Sequence, residues 1–168
     1  TRSSASPDQC RECGWESVWQ WSFPRKIQVI WSDDGNQVYY STNKGNIGVI
    51  DPITGALIRE FNGYAKQLQT SADGKYIFGI YEAEVSVYDA HTFSRISTLT
   101  GHQNKVTSVL VLPDPGKVLT VSEDNTAKVW DLATGNLLYT CLMMNRETSF
   151  KMVPSGYYIA NPNASKLL

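Results

Sequence analysis

The sequence is poor in charge. Only 18% of its 168 residues are charged, and Lys plus Arg (15) nearly cancel Asp plus Glu (16) for a formal net charge of −1. It therefore lacks the clustered basic face that phosphate neutralisation demands, and no nucleic-acid partner is expected. It lacks any apolar run long enough to cross a bilayer, so no membrane partner is expected either. No charged segment followed by an apolar core reads as a signal peptide. Cysteine is scarce: Cys10, Cys13 and Cys141 are too few for a disulfide framework, which suits a reducing compartment, cytoplasmic or nuclear. There is no phosphate-binding glycine loop, no HExxH and no EF-hand loop, so no cofactor is expected and no motif marks an enzyme. Asp33-Asp34 and Asp114 sit in turn sequences and do not make a metal cluster.

What is present is alternation and aromatics. Hydrophobic residues make up 42% of the chain and aromatics 11%, enough for one globular unit. The stretch Gly101 to Asp131 organises the rest. Val106, Val109 and Val111 mark one short strand, Val118, Leu119 and Val121 a second, and Ala127 and Val129 lead a third into Trp130. Pro113 to Gly116 and Asp124-Asn125 break them as turn residues. A fourth strand, Leu137 to Cys141, follows the turn Ala133-Thr134-Gly135.

The same plan recurs. The first turn of each unit ends in Gly35, Gly74, Gly116 and Gly156, at intervals of 39, 42 and 40 residues. The end of each third strand recurs as Ile50-Asp51, Tyr88-Asp89 and Trp130-Asp131, at intervals of 38 and 42. Two independent landmarks thus share a period close to forty. They predict strands near Ile27–Trp31, Gln37–Ser41, Ile47–Ile50 and Leu57–Phe61 in the first unit. In the second they predict Lys66–Thr70, Tyr76–Tyr81, Val85–Tyr88 and Arg95–Leu99. A last half-unit is expected at Ser149–Val153 and Tyr157–Ala160.

Gly101-His102, Ser122-x-Asp124 and Trp130-Asp131 make the central unit resemble a WD40 repeat, one blade of a β-propeller. The resemblance covers that blade well and the rest of the chain loosely. It implies an all-β fold, a β-propeller of four-stranded antiparallel blades. The propeller is incomplete in this chain, with three full blades plus parts of two. Propellers close with about 4–8 blades, so the remaining blades are expected from the rest of a longer chain or from another copy. In the resembled family the His of Gly-His, a Ser or Thr of the second strand, the Asp of the next turn and the Trp of the third strand are hydrogen-bonded. The positions implied here are His102, Ser122, Asp124 and Trp130, a structural tetrad. Their chemistry agrees: an indole N–H donates, a carboxylate accepts, and hydroxyl and neutral imidazole do both. A Ser, His and Asp together also resemble a catalytic triad, but the repeat buries Ser122 inside a blade, so no catalytic residue is assigned. In the other blades Glu60-Phe61 is taken as the Gly-His position, Lys44 and Glu82 stand for Asp124, and Ile50 and Tyr88 replace the Trp.

The ends are less regular. Residues 1–14 read as a polar tail with the knuckle Cys10-Arg-Glu-Cys13-Gly14, and 15–168 as the partial propeller. Two thiolates on one turn can hold two corners of a zinc tetrahedron, but His91 and His102 lie far off in blades, so Cys10 and Cys13 are read as free thiols and no metal is assigned. Trp15 to Phe23 alternates through Trp19, Trp21 and Phe23 as a strand with one aromatic face, the outer strand of a preceding blade. Met143-Met144 follow a strand and suit gap filling between blades. Asn163-Ala-Ser165 is a glycosylation sequon, meaningful only for a secreted protein.

The resemblance implies a non-catalytic scaffold that binds protein partners through the loops of one propeller face. Gln103, Lys105 and Glu123 in the central blade, with Asn43 and Tyr81 at matching positions of the first two, are the partner-binding candidates. Tyr81 is the preferred anchor, as an aromatic in a polar rim. Two alternatives stay open. One is a YVTN or quinoprotein-type propeller, which Ile50-Asp51-Pro52-Ile53-Thr54-Gly55 also resembles. The other is a regulatory propeller attached to an effector enzyme, which the stretch Val153 to Leu168 resembles weakly.

Overall fold

The computed structural model describes residues 26–143, 149–156 and 158–160. The readings made for the polar tail, Cys10 and Cys13, Trp15 to Phe23, Met144 and the sequon lie outside the described residues. Within them every regular element is a strand.

The first sheet is a four-stranded meander of β1 (Lys26–Trp31), β2 (Val38–Thr42), β3 (Asn46–Ile50) and β4 (Leu57–Asn62). The second repeats it with β5 (Gln67–Thr70), β6 (Tyr76–Tyr81), β7 (Glu84–Asp89) and β8 (Arg95–Thr100). The third begins the same way with β9 (Val106–Val111), β10 (Lys117–Ser122), β11 (Thr126–Asp131) and β12 (Leu137–Met143). All pairings are antiparallel, and in each of these twelve strands the predicted segment is found to within a few residues. The last two, β13 (Ser149–Met152) and β14 (Tyr158–Ala160), form where the repeat predicts strands, but they do not open a fourth blade. β13 pairs with β12, Cys141 opposite Lys151, and the third sheet grows to six strands. The outer edge of β12 carries unpaired N–H and C=O groups, and the following chain takes that edge.

The recurring landmarks have local causes. Each third-strand Asp folds the turn behind it. Asp51 Oδ1 accepts the Ile53 and Thr54 N–H, Asp89 Oδ1 those of His91 and Thr92, and Asp131 Oδ1 the N–H and hydroxyl of Thr134. These bonds hold all three carboxyls below the ordinary carboxylate range. Gly55 and Gly135 close two of the turns at φ 69° and 75°, and Phe93 takes the same left-handed backbone at 59° in the second. A non-glycine residue there costs about 1–2 kcal/mol. The Phe93 ring stacks on Phe61, 5.8 Å between centroids, which offsets that cost. In the first turns, Ser32 and Ser71 accept the Gln37 and Tyr76 N–H and donate to Asp34 and Asp73.

In the first two blades burial is concentrated in β2, β3, β6 and β7, while β4 is largely exposed, and the blades stack in chain order. Tyr39, Ile47 and Val49 of the first blade meet Leu68, Ile77 and Tyr88 of the second. Phe78, Ile80, Val85 and Val87 of the second meet Val106, Val118 and Trp130 of the third. Burial of such side chains contributes about 1.5–3 kcal/mol each. The described blades form an open array, and their first strands line its inner rim.

Candidate functional site

Antiparallel order puts two sets of loops on one side of the array. These are the second-to-third strand turns (43–45, 82–83, 123–125) and the blade-to-blade connections (63–66, 101–105). The other turns lie on the opposite side. All five partner-binding candidates belong to the first side.

The loops of the third blade rest on a polar chain. Trp130 Nε1 donates to Thr120 Oγ1 at 2.7 Å, Thr120 Oγ1 lies 2.7 Å from His102 Nε2, and His102 Nδ1 lies 2.8 Å from Asp124 Oδ2. The indole can only donate and the carboxylate can only accept. The protons therefore run one way: Trp130 N–H to Thr120, Thr120 O–H to His102 Nε2, and His102 Nδ1–H to Asp124, with the imidazole neutral. Desolvation keeps the His102 pKa below its ordinary value despite the neighbouring Asp124. Burial pushes the Asp124 pKa upward, but hydrogen bonds from the Thr126 hydroxyl, Gln103 N–H, His102 and the Thr126 N–H outweigh it and hold the group well below the carboxylate range.

One member of the expected four is corrected. The bridging hydroxyl is Thr120, and Ser122 stands outside the chain. Ser122 Oγ instead donates to the Asn104 carbonyl at 2.9 Å and accepts the Asp124 N–H at 3.1 Å. The register explains this. Trp130 is opposite Val118, so the diagonal neighbour its ring can reach is Thr120, and Ser122 lies a further two residues along. Ser122 also sits at the register shift between β9 and β10. The blade-end alignment is corrected as well. β4 and β8 end at Asn62 and Thr100, each followed by glycine, so Gly63-Tyr64, and not Glu60-Phe61, occupies the place of Gly101-His102.

The candidates fall into groups. Gln103, Lys105 and Glu123 are exposed and adjoin one another: the Gln103 N–H bonds Asp124, and the Glu123 N–H bonds the Lys105 carbonyl at 2.9 Å. The Glu82 carbonyl accepts the Val106 N–H at 2.8 Å, which brings the second-blade turn alongside. Tyr81 is half-buried and meets Tyr64 edge-on, 4.8 Å between centroids, with Lys66 Nζ 5.2 Å from the Tyr81 ring. Lys66 also pairs with Glu82. Asn43 is exposed in the first-blade turn, whose Gly45 abuts the Tyr64 ring. Tyr64, which is 54% exposed and was missed in the sequence, thus joins Tyr81 to the turn that carries Asn43, while Gln103, Lys105 and Glu123 form a separate group on the third blade. The sequence signal for Tyr64 was its place after Gly63 at a blade end.

The family model for the WD domain, G-beta repeat, matches residues 93–131. The pre-rRNA-processing protein crb3/ipi3 of Schizosaccharomyces pombe is 30% identical over 158 residues, covering 80% of this chain and 35% of its own length. The WD repeat-containing protein sll1491 of Synechocystis is 30% identical over 129 residues, 73% of this chain and 37% of its own. The chain therefore spans about a third of the length of these relatives. Among solved structures, the WD40 repeats of RRP9 superpose with a TM-score of 0.58 at 14% identity, over 81% of this chain and 53% of theirs. A WD-repeat match on the blade that carries Gly-His and Trp-Asp, WD-repeat relatives and blades of WD40 architecture converge, and the chain belongs to the WD40-repeat family.

Proposed function

We propose that the chain is a non-catalytic docking segment, a piece of an interaction scaffold that receives protein partners on the loop side bearing Tyr81, Lys105 and Glu123. The observation that carries this reading is the division of labour around Asp124. The groups that could do chemistry, His102, Thr120 and Asp124, are tied to one another beneath the surface. The exposed Gln103, Lys105 and Glu123 are held above them by backbone bonds and are free to meet a partner. Rigid support lowers the ordering cost of binding. Relatives named for pre-rRNA processing and for translation initiation support a nuclear or cytoplasmic setting.

The test is affinity capture of partners by the protein and by its Tyr81→Ala and Lys105→Glu variants. Recovery of a specific partner should fall at least fivefold in one or both. Equal recovery from all three, with the variants folded, would overturn the reading.

A further inference from the structure

Between the first and second blades, on their outer flank, runs a groove of about 350 Å³. Glycines create it. A side chain at Gly63 would strike Ile47 at 2.6 Å and the Tyr88 hydroxyl at 2.8 Å, and Gly79 leaves the neighbouring wall bare. Its floor is polar. The Tyr88 ring is buried, and its hydroxyl forms no hydrogen bond among the described residues. The hydroxyls of Ser86 and Thr98, which line the same groove, have none either. These hydroxyls face the open groove, where a ligand's hydrogen bonds can take the place of water.

The groove is also charged at its two ends. Glu84, Ser86 and Tyr88 alternate along one face of β7, and Arg95 stands opposite Tyr88 on β8. Neither Glu84 nor Arg95 has an ion pair among the described residues. Tyr64 and Tyr81 border the Glu84 end, where aromatic rings beside a carboxylate suit a cation. Glu84 and Tyr88 are four residues apart, about 13 Å along a strand. An extended ligand needs the same four residues to span them, and its side chains i and i+4 share one face.

We propose that this groove binds an extended peptide segment of a protein partner, with a basic side chain set against Glu84 and an acidic one four residues away against Arg95. The residue between them offers hydrogen bonds to Tyr88 and Ser86. This rests on the reading of the chain as a docking module but uses a surface separate from Gln103, Lys105 and Glu123.

Fluorescence anisotropy with labelled, capped peptides tests it. The probes are Lys-Val-Ser-Val-Glu and two like-charge controls, in which both end residues are Lys or both are Glu. The mixed-charge peptide should bind at least fivefold tighter than either control. Arg95→Glu should turn the preference to the Lys-ended control. Tyr88→Phe should weaken binding about threefold with no loss of stability, because its hydroxyl bonds nothing among the described residues. Equal or absent binding of the three peptides, or a preference that survives Arg95→Glu, would overturn the proposal. Lys105→Glu should leave peptide affinity unchanged. If the peptides fail while Lys105→Glu still abolishes partner capture, the groove falls and the docking face stands.

Discussion

The Gln69 side-chain carbonyl accepts the backbone N–H of Val109 at 2.8 Å, and Gln28 does the same for Leu68, each pair forty residues apart. The period of the fold is thus written in single hydrogen bonds. The first strand of each blade is a sheet edge, and an N–H on it has no ladder partner. A glutamine from the preceding blade supplies one and pins neighbouring blades at the inner rim.

Gln69→Ala should therefore destabilise the chain by about 1–3 kcal/mol, since it strands the Val109 N–H in a largely buried place. Equilibrium urea unfolding measures this. Gln69→Glu retains an acceptor and should lose less.

Thr120→Val should destabilise by about 2–4 kcal/mol, because both the Trp130 N–H and the His102 Nε2 lose their partner at once. Ser122→Ala should lose less, about 1–2 kcal/mol, because it frees the Asn104 carbonyl and the Asp124 N–H but leaves the Trp130–Thr120–His102–Asp124 chain intact. Urea unfolding of the two variants decides the order. A larger loss for Ser122→Ala would return the bridging role to Ser122.

Most of the strand plan was legible in the sequence, and the reason is physical. Turn glycines with positive φ and Asp-capped turns are local devices, visible in a few residues each. Thr120 was not legible, because which hydroxyl a Trp reaches depends on the register of β10 against β11, which sets Trp130 opposite Val118. The destination of β13 was not legible either: Ser149 to Met152 reads as a strand, but nothing local says which edge it joins. Tyr64 and the Gln28 and Gln69 bonds became visible only when blades stood side by side.

The pH dependence follows from His102. Its folded pKa lies below the ordinary value of 6.5, so at acid pH the unfolded chain binds a proton that the native chain resists. Its contribution is fully present above pH 6.5 and is lost as pH falls toward the folded value. Asp124 acts in the same sense at lower pH, its contribution being lost below its ordinary value of 3.8. Unfolding midpoints measured from pH 8 to pH 5 should decline, and His102→Gln should flatten that decline.

Ser41 is fully buried and its hydroxyl has no partner among the described residues. Ser41→Ala removes an unsatisfied polar group from a packed strand, so it should leave stability unchanged or raise it by about 1 kcal/mol. Thermal unfolding reads the sign.

The most direct test of the docking face is hydrogen exchange of the chain alone and with a captured partner bound. Slower exchange should appear in the loops at 43–45, 63–66, 82–83, 101–105 and 123–125, with the opposite turns at 32–37, 71–75 and 112–116 unchanged. Protection confined to those opposite turns would contradict the account.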